Sequence, residues 1–157
     1  MIVVADTSPL NYLLLIDEID LLPAIFGQVI LPHAVFQELQ HPKTSLRVRQ
    51  WVADLPAWLE VRKVASIANP ALMGLDVGER EAIQLALELG ISTVLIDEAD
   101  GRKQAERLHL EVRGTLGILE RGANLSKINL RQALNKLEQT NFRVSPAVVA
   151  ALLKRNP

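Results

Sequence analysis

The sequence predicts an α/β sandwich built around a mostly parallel β-sheet. Short apolar runs rich in Val and Ile alternate along the chain with segments whose apolar residues recur at helical spacing. Two of these runs, at 2–5 and 93–96, are almost entirely apolar, which is typical of strands buried on both faces of a parallel sheet. Each run leads directly into an aspartate, Asp6 or Asp97.

The remaining elements follow from the same patterns. Ser8 followed by Pro9 predicts a helix start, with Ser8 as N-cap and Pro9 at the first helical position. Three further short strands are predicted at 29–31, 59–61 and 110–112. Helices are predicted at 10–16, 21–26, 33–40, 45–55, 80–89, 102–109, from 114 onward, within 126–140, and at 146–154, with a loop at 64–74.

Composition is that of one globular domain spanning residues 1–157. Hydrophobic residues make up 49% of the chain and charged residues 22%, with no disordered or low-complexity block. The chain has no cysteine, which excludes disulfides and thiolate metal sites. No apolar run approaches the roughly 20 residues needed to span a bilayer, and the N-terminus lacks a signal-peptide pattern. We therefore expect a cytoplasmic protein without a membrane partner.

Charge is distributed unevenly along the chain, although the net charge is only −1. The first 100 residues carry 6 basic and 14 acidic side chains, whereas the remaining residues carry 11 basic and 4 acidic ones. This asymmetry is compatible with a nucleic-acid partner, and equally with two surfaces that pair within an oligomer.

Four acidic residues are candidates for a common site. Asp6 and Asp97 each end a buried strand, so their carboxylates converge if those strands are neighbours. Glu38 lies beside an apolar helix stripe, with a solvated helix position as the alternative. Glu79 shares a helix face with Ala82, Ile83 and Ala86, but Asp76-x-x-Glu79 also fits a capping box.

Two further acids have simpler interpretations. Glu81 falls off the apolar stripe of its helix and is expected to be more solvated than Glu79. Asp100 is a candidate cap for a helix that begins at Gly101.

Several carboxylates at one place would repel each other unless a cation neutralised them. Oxygen ligands without Cys or an organised set of His suit Mg²⁺ or Mn²⁺ rather than zinc, and the three histidines are scattered. Such a centre is typical of phosphodiester or phosphoryl chemistry.

The chain resembles PIN-domain proteins, in particular the ribonuclease toxins of type II toxin–antitoxin modules. The matching stretches are Val4-Ala5-Asp6-Thr7-Ser8-Pro9-Leu10, Val35-Phe36-Gln37-Glu38-Leu39, Gly78-Glu79-Arg80-Glu81-Ala82-Ile83, Leu95-Ile96-Asp97-Glu98, Gly101-Arg102 and Gly114-Thr115-Leu116-Gly117. The resemblance implies a three-layer α/β/α fold, Mg²⁺- or Mn²⁺-dependent cleavage of single-stranded RNA, frequent homodimers and often a small cognate antitoxin.

The resemblance also implies roles for individual residues. Asp6 and Glu38 match the first two acids of the family. The third acid, commonly Asp in the family, is Glu79 or Glu81 here, and we favour Glu79 because it lies on the core-facing stripe. The fourth is Asp97, with Glu98 and Asp100 as rivals.

Substrate contacts are expected around the acids. Thr7 or Ser8 could bind a phosphate or a metal-bound water through its hydroxyl. Arg102 and Lys103 follow the last acid closely enough to contact flanking phosphates, with a solvated helix face as the alternative. One Tyr and three Phe leave little material for stacking on bases, and we expect Trp51 and Trp58 to be core or dimer contacts.

Two other functions remain open from the sequence. One is a PIN-like interaction module without useful turnover, because capping explains Glu79 and Asp100 adequately. The other is a phosphatase with Asp6 as nucleophile, which is weakened because Ser8 stands where a second Asp would act as acid and base.

Overall fold

The computed structural model describes residues 1–66 and 69–157, and every predicted strand and helix has a counterpart there. The strands are β1 (Ile2–Ala5), β2 (Gln28–Pro32), β3 (Leu59–Arg62), β4 (Thr93–Leu95) and β5 (Glu111–Arg113). The helices are α1 (Thr7–Leu15), α2 (Leu21–Ile25), α3 (His33–Leu39), α4 (Leu46–Val52), α5 (Val77–Leu89), α6 (Ala99–Arg107), α7 (Thr115–Asn124), α8 (Leu130–Glu138) and α9 (Pro146–Arg155). The predicted loop at 64–74 contains a short 3-10 turn, Pro70–Leu72, while its residues 67 and 68 lie outside the described part.

The five strands form one sheet in the order β3-β2-β1-β4-β5, with parallel pairing throughout. β1 therefore lies in the centre, between β2 and β4. The chain reaches β2 on one side of β1 and returns to β4 on the other, so the strand order reverses beside β1. In open α/β sheets, ligands bind at the carboxyl ends of the strands at such a reversal.

Helices cover both faces of the sheet, which confirms the three-layer sandwich. Along β1, Val3 and Ala5 belong to one apolar cluster and Val4 to a second one on the opposite face. The second cluster is completed by α5 and α6, and the first by the other seven helices. Both faces of β1 are buried away from solvent, as its apolar sequence predicts.

The start of α1 differs from the prediction for Ser8 and Pro9. The helix begins at Thr7, with Asp6 in the N-cap position, so Ser8 is not the cap and Pro9 is the third helical residue. The Asp6 amide still donates to Leu95 O at 2.9 Å, and the chain turns into the helix directly afterwards. Pro9 is tolerated because the first turn of a helix has no acceptors for its N–H groups.

Two other helix starts also lie upstream of their predicted positions. α6 begins at Ala99 after Glu98, so Asp100 is in the first turn and does not cap the helix. β4 ends at Leu95, and α6 begins two residues before the start at Gly101 that was predicted from the sequence. α5 begins at Val77.

Other local predictions are confirmed. Ser145 caps α9 by accepting from the Val148 amide. Trp51 and Trp58 pack together at 5.9 Å between ring centroids and against the first apolar cluster, which confirms them as core contacts. Among the described residues, no helix combines the length and apolar character required to cross a bilayer.

Candidate functional site

Asp6 and Asp97 meet at the reversal point of the sheet, as their strand positions predict. β1 and β4 are neighbours, and Ala5 pairs with Leu95. Asp6 follows β1 immediately and Asp97 follows β4 after one intervening residue. The negative charge of Asp97 contributes to raising the pKa of Asp6.

The carboxyl group of Asp6 is almost completely buried, with 5% of the residue exposed. Burial is the main reason why its pKa is raised from 3.8 to about 7, although the amide of Thr7 acts in the opposite direction. Nearby negative charges on Asp76, Glu38 and Asp97 add to the increase. A carboxyl group in this setting gains strongly from a neighbouring cation.

Glu38 approaches the same place from the last turn of α3. A methyl group at Gly78 would lie 3.0 Å from Asp6 Oδ1 and 3.2 Å from Glu38 Oε2, so both oxygens face this glycine at the start of α5. Thr7 Oγ1 donates to Glu38 Oε2 at 2.7 Å and orients the otherwise exposed glutamate. Even a methyl group at Gly78 would crowd both carboxylates.

Glu79 faces inward, as its helical stripe predicts, and is only 4% exposed. Its amide donates to Asp76 Oδ1 at 2.9 Å, so the capping interpretation of Asp76 is also correct. The pKa of Glu79 is raised to about 8 by burial first, then by its hydrogen bond with Asp76 and by negative charges including Asp6. Oε2 would lie 2.9 Å from a methyl group at Gly101, so that glycine makes room for the carboxylate.

Asp97 has a different environment from Asp6. Its Oδ1 accepts from the Thr115 amide and its Oδ2 from the Thr115 hydroxyl, both at 2.7 Å. Burial raises the pKa of Asp97, while these two hydrogen bonds and the positive charge of Arg102 oppose the increase. Both oxygens therefore already have partners at the start of α7.

The rival acids lie in other settings. Glu81 is half-buried, and its Oε1 accepts from the Ala34 amide at 3.2 Å. Glu81 is more exposed than Glu79, as its position off the apolar stripe predicts, and the packing of α5 against α3 brings it to the first turn of α3. Glu98 is exposed and adds negative charge near Glu79, and Asp100 is exposed.

Sequence reasoning treated Asp76 only as a cap, although its charge also raises the pKa of both Asp6 and Glu79. Its place just before Glu79 was the available signal. Thr115 was missed as the partner of Asp97 because 18 residues separate them.

Residue chemistry at the site fits a hard divalent cation, but a complete set of ligands is not preformed. Across residues 1–66 and 69–157, no three His, Cys, Asp or Glu side chains are arranged to hold a metal ion together. Mg²⁺ commonly takes one or two protein carboxylates and completes its shell with waters and substrate phosphates. Asp6 and Glu38, whose oxygens converge on Gly78, fit that requirement.

Two depressions flank the acids. The larger, about 820 Å³, extends from Thr7, Ser8 and Glu38, and we call it the lysine groove because Lys43 and Lys136 line it. The smaller, about 400 Å³, begins at Asp97, and we call it the arginine pocket. Its basic residues are Arg102, Arg113 and Arg143.

The segment 139–143, between α8 and α9, borders both depressions. Tyr12 OH donates to Asn141 Oδ1 at 2.8 Å, and the Tyr12 ring meets Phe142 edge-on at 4.9 Å between centroids. The segment is thereby tied to α1 beside the acids. These aromatic residues were missed because about 130 residues separate the partners in the sequence.

Arg102 and Lys103, the basic residues predicted to contact flanking phosphates, have different environments. Arg102 is half-buried, and its Nη1 donates to the Ile96 carbonyl at 3.4 Å. Lys103 is exposed on α6.

A family model described as a PIN domain matches residues 2–156. The chain belongs to the PIN-domain family. PIN domains are generally nucleases that use divalent metals, and the family suggests RNA binding. Comparisons with curated proteins and with solved structures found no match.

Proposed function

We propose that this PIN domain is a divalent-metal-dependent endoribonuclease that hydrolyses phosphodiester bonds of RNA, with Mg²⁺ or Mn²⁺ as cofactor. The observation that carries the proposal is the group of buried carboxylates at the reversal point. Asp6 and Glu79 are 5% and 4% exposed, and neighbouring carboxylates raise both pKa values further. Gathering like charges in this way destabilises the fold and is typical of functional sites.

Asp6, Glu38, Glu79 and Asp97 form the proposed metal centre. Asp6 and Glu38 are the two that ligate the cation directly, since their oxygens face the same glycine. Thr7 orients Glu38 and Thr115 orients Asp97. When bound, the cation activates water and neutralises charge on the scissile phosphate.

Metal binding also determines the protonation of the site. Because the pKa of Asp6 is about 7 and that of Glu79 about 8, both carboxyl groups hold protons over much of the neutral range without a cation. Ligation requires the deprotonated form, so the cation must displace these protons. We expect cleavage to increase with pH between about 6 and 8 at low metal concentration.

Asp6→Asn tests the proposal, because the change is nearly isosteric and removes only the charge. We expect Mn²⁺-dependent cleavage of single-stranded RNA to fall about 100-fold or more, since outer-shell partners alone are worth 10–100-fold. EDTA should abolish wild-type cleavage. Asp54→Asn, which alters an exposed acid after α4, is the matched control and should cleave normally. Full activity of Asp6→Asn would refute the proposal.

A second candidate, a PIN-like interaction module without turnover, is favoured by the structural duties of two acids. Asp76 caps the Glu79 amide, and Asp97 holds Thr115 with both oxygens. Calorimetric titration with Mn²⁺ separates the candidates. The nuclease should give a saturating binding isotherm at millimolar metal or below, whereas the interaction module should show no binding.

The resemblance to ribonuclease toxins supports a further part of the proposal: action in the cytoplasm as a homodimer, with inhibition by a small antitoxin. Expression in a bacterial host tests the toxin role. Wild type should arrest growth and Asp6→Asn should not, at matched protein levels.

A further inference from the structure

The arginine pocket combines three cations from separate parts of the chain. Arg102 comes from α6, Arg113 from the end of β5 and Arg143 from the segment between α8 and α9. Gly114 allows Arg102 to approach, because a methyl group there would lie 2.5 Å from Arg102 Nη1. The pocket shares Asp97 with the acid group, so it lies directly beside the proposed metal centre.

Positive charge in this pocket exceeds the negative charge that faces it. Asp97 is the acid that lines it, and Thr115 already occupies both of its oxygens. Arg113 has Glu111 at 4.0 Å as an exposed, weak partner. Among the residues described, Arg143 has neither a hydrogen bond nor an ion pair. The pocket therefore retains guanidinium donors for an anion.

We propose that the arginine pocket holds one phosphate of the RNA strand, next to the phosphate that is cleaved. The inference rests on the proposed function. Guanidinium groups match phosphate oxygens in planar, bidentate pairs, and Arg is suited to this task for that reason. Phe142, which also lines the pocket, offers an apolar side chain to the adjoining nucleoside.

The path of the strand follows from the two depressions. From the arginine pocket it passes Asp97 and the acids, and then enters the lysine groove at Thr7 and Glu38. Segment 139–143 borders this path on both sides of the acids. The excess of positive charge lies on the arginine side, since Asp17 and Glu38 line the lysine groove together with Lys43 and Lys136. The arginines therefore do most to compensate the repulsion between the acids and the strand.

β3 provides a matched control for Arg113. Arg62 and Arg113 are the last residues of β3 and β5, the strands at the two opposite ends of the sheet, and both are exposed where these parallel strands end. Each has a glutamate two residues before it, Glu60 or Glu111. Arg62→Gln therefore removes an equivalent charge at the opposite end of the sheet.

The test measures binding of single-stranded oligonucleotides by fluorescence anisotropy, in an Asp6→Asn background so that the strand stays intact. Each oligonucleotide carries one uncharged methylphosphonate linkage, and its position moves along the series. We expect one position to weaken binding about tenfold. With Arg113→Gln or Arg143→Gln added, a methylphosphonate at that position should no longer weaken binding. The slope of log Kd against log salt concentration should also decrease by about 0.7.

Arg62→Gln should leave both the sensitive position and the salt dependence unchanged. The inference would be overturned if the arginine variants bound every oligonucleotide of the series as tightly as the Asp6→Asn protein does. The proposed function would remain intact in that case. Equal weakening at every position would overturn it too, because general attraction would then replace a specific contact. Cleavage by Asp6→Asn equal to wild type would instead overturn the proposed function.

Discussion

Asp6 and Asp97 follow neighbouring strands of the sheet, yet their carboxyl groups are stabilised in different ways. Asp97 accepts two hydrogen bonds from Thr115, and the guanidinium of Arg102 lies nearby. Asp6 is surrounded instead by the charges of other carboxylates, and its pKa is raised to about 7. Burial raises the pKa of both aspartates, but Asp97 is tied to α7 by its hydrogen bonds, whereas the charge of Asp6 has other carboxylates around it and would be relieved by a cation.

Two aspartates at equivalent strand ends therefore need not have equally stable carboxylate charges. The end of a parallel strand brings a carboxylate to the edge of the sheet. Whether that carboxylate is stable depends on the donors that other elements supply. α7 supplies them to Asp97 through Thr115, while α3 and α5 bring further acids to Asp6. The two residues should therefore respond oppositely to mutation.

The largest effect on stability is expected from Asp97→Ala. Thr115 is completely buried, and its amide and hydroxyl would both lose their acceptor. We expect a loss of about 2 kcal/mol, and a decrease in Tm of about 4–8 °C for a chain of this length. Thermal unfolding in EDTA measures it. Asp97→Asn should lose less, since its amide oxygen can still accept from Thr115. Equal Tm for Asp97→Ala and wild type would contradict the structural role.

Asp6→Asn should change stability in the opposite direction. The pKa of Asp6 is higher in the folded protein, about 7, than in the unfolded chain, so the folded state retains the proton between about pH 4 and 7. Stability of the wild type therefore decreases as pH rises through that range, and the asparagine variant avoids this loss. In EDTA at pH 8 we expect its Tm to be several degrees above wild type.

The gain of Asp6→Asn should be smaller at pH 5, because the folded wild type is then still protonated at Asp6. A gain independent of pH would show that packing, rather than charge, is responsible. Glu79→Gln offers a second check, since the pKa of Glu79 is raised to about 8. The gain in Tm of Glu79→Gln over wild type should continue to grow up to a slightly higher pH than that of Asp6→Asn.

Binding of Mn²⁺ should offset the loss of stability that the charge of Asp6 causes at high pH. At a free concentration fivefold above Kd, binding stabilises a protein by about 1 kcal/mol, which corresponds to about 2–4 °C here. The increase in wild-type Tm should be larger at pH 8 than at pH 6, because protons compete with the metal. Asp6→Asn should respond weakly, and Asp54→Asn should respond as wild type does. An equal response of Asp6→Asn would place the metal elsewhere.

The smallest effect on stability is expected from Thr7→Val. Thr7 and Thr115 each donate a hydroxyl to a carboxylate, but the Thr7–Glu38 pair is exposed, whereas Thr115 is buried. We expect Tm to change by less than about 2 °C, while Mn²⁺ affinity falls about tenfold because Glu38 loses its orientation. Thr7→Ser should restore the affinity. Unchanged affinity in Thr7→Val would remove Thr7 from the site.

Much of the fold was predictable because its signals are local. Apolar runs identified β1 and β4, and the aspartates that follow them predicted the place where carboxylates meet. The inward position of Glu79 followed from helical spacing. Helix starts were less accurate, since Ser8-Pro9 fits the first turn of a helix in more than one register.

Parts of the site were not predictable because they depend on contacts between distant segments. The expectation of little aromatic material did not anticipate that Tyr12 and Phe142 meet beside the acids. Arg143 followed no motif, and the hydrogen bond between the Ala34 amide and Glu81 depends on the packing of α5 on α3. Sequence spacing carries no information about such pairings.

By itself, the sequence determined which residues end the buried strands and which helical residues face inward, because chain periodicity and hydrophobic burial act locally. Asp6 and Asp97 were placed in this way. Only the tertiary structure decided that Thr115 satisfies Asp97 while carboxylates crowd Asp6. The pKa of a buried group depends on burial and on the charges and donors around it, and those neighbours come from distant parts of the chain.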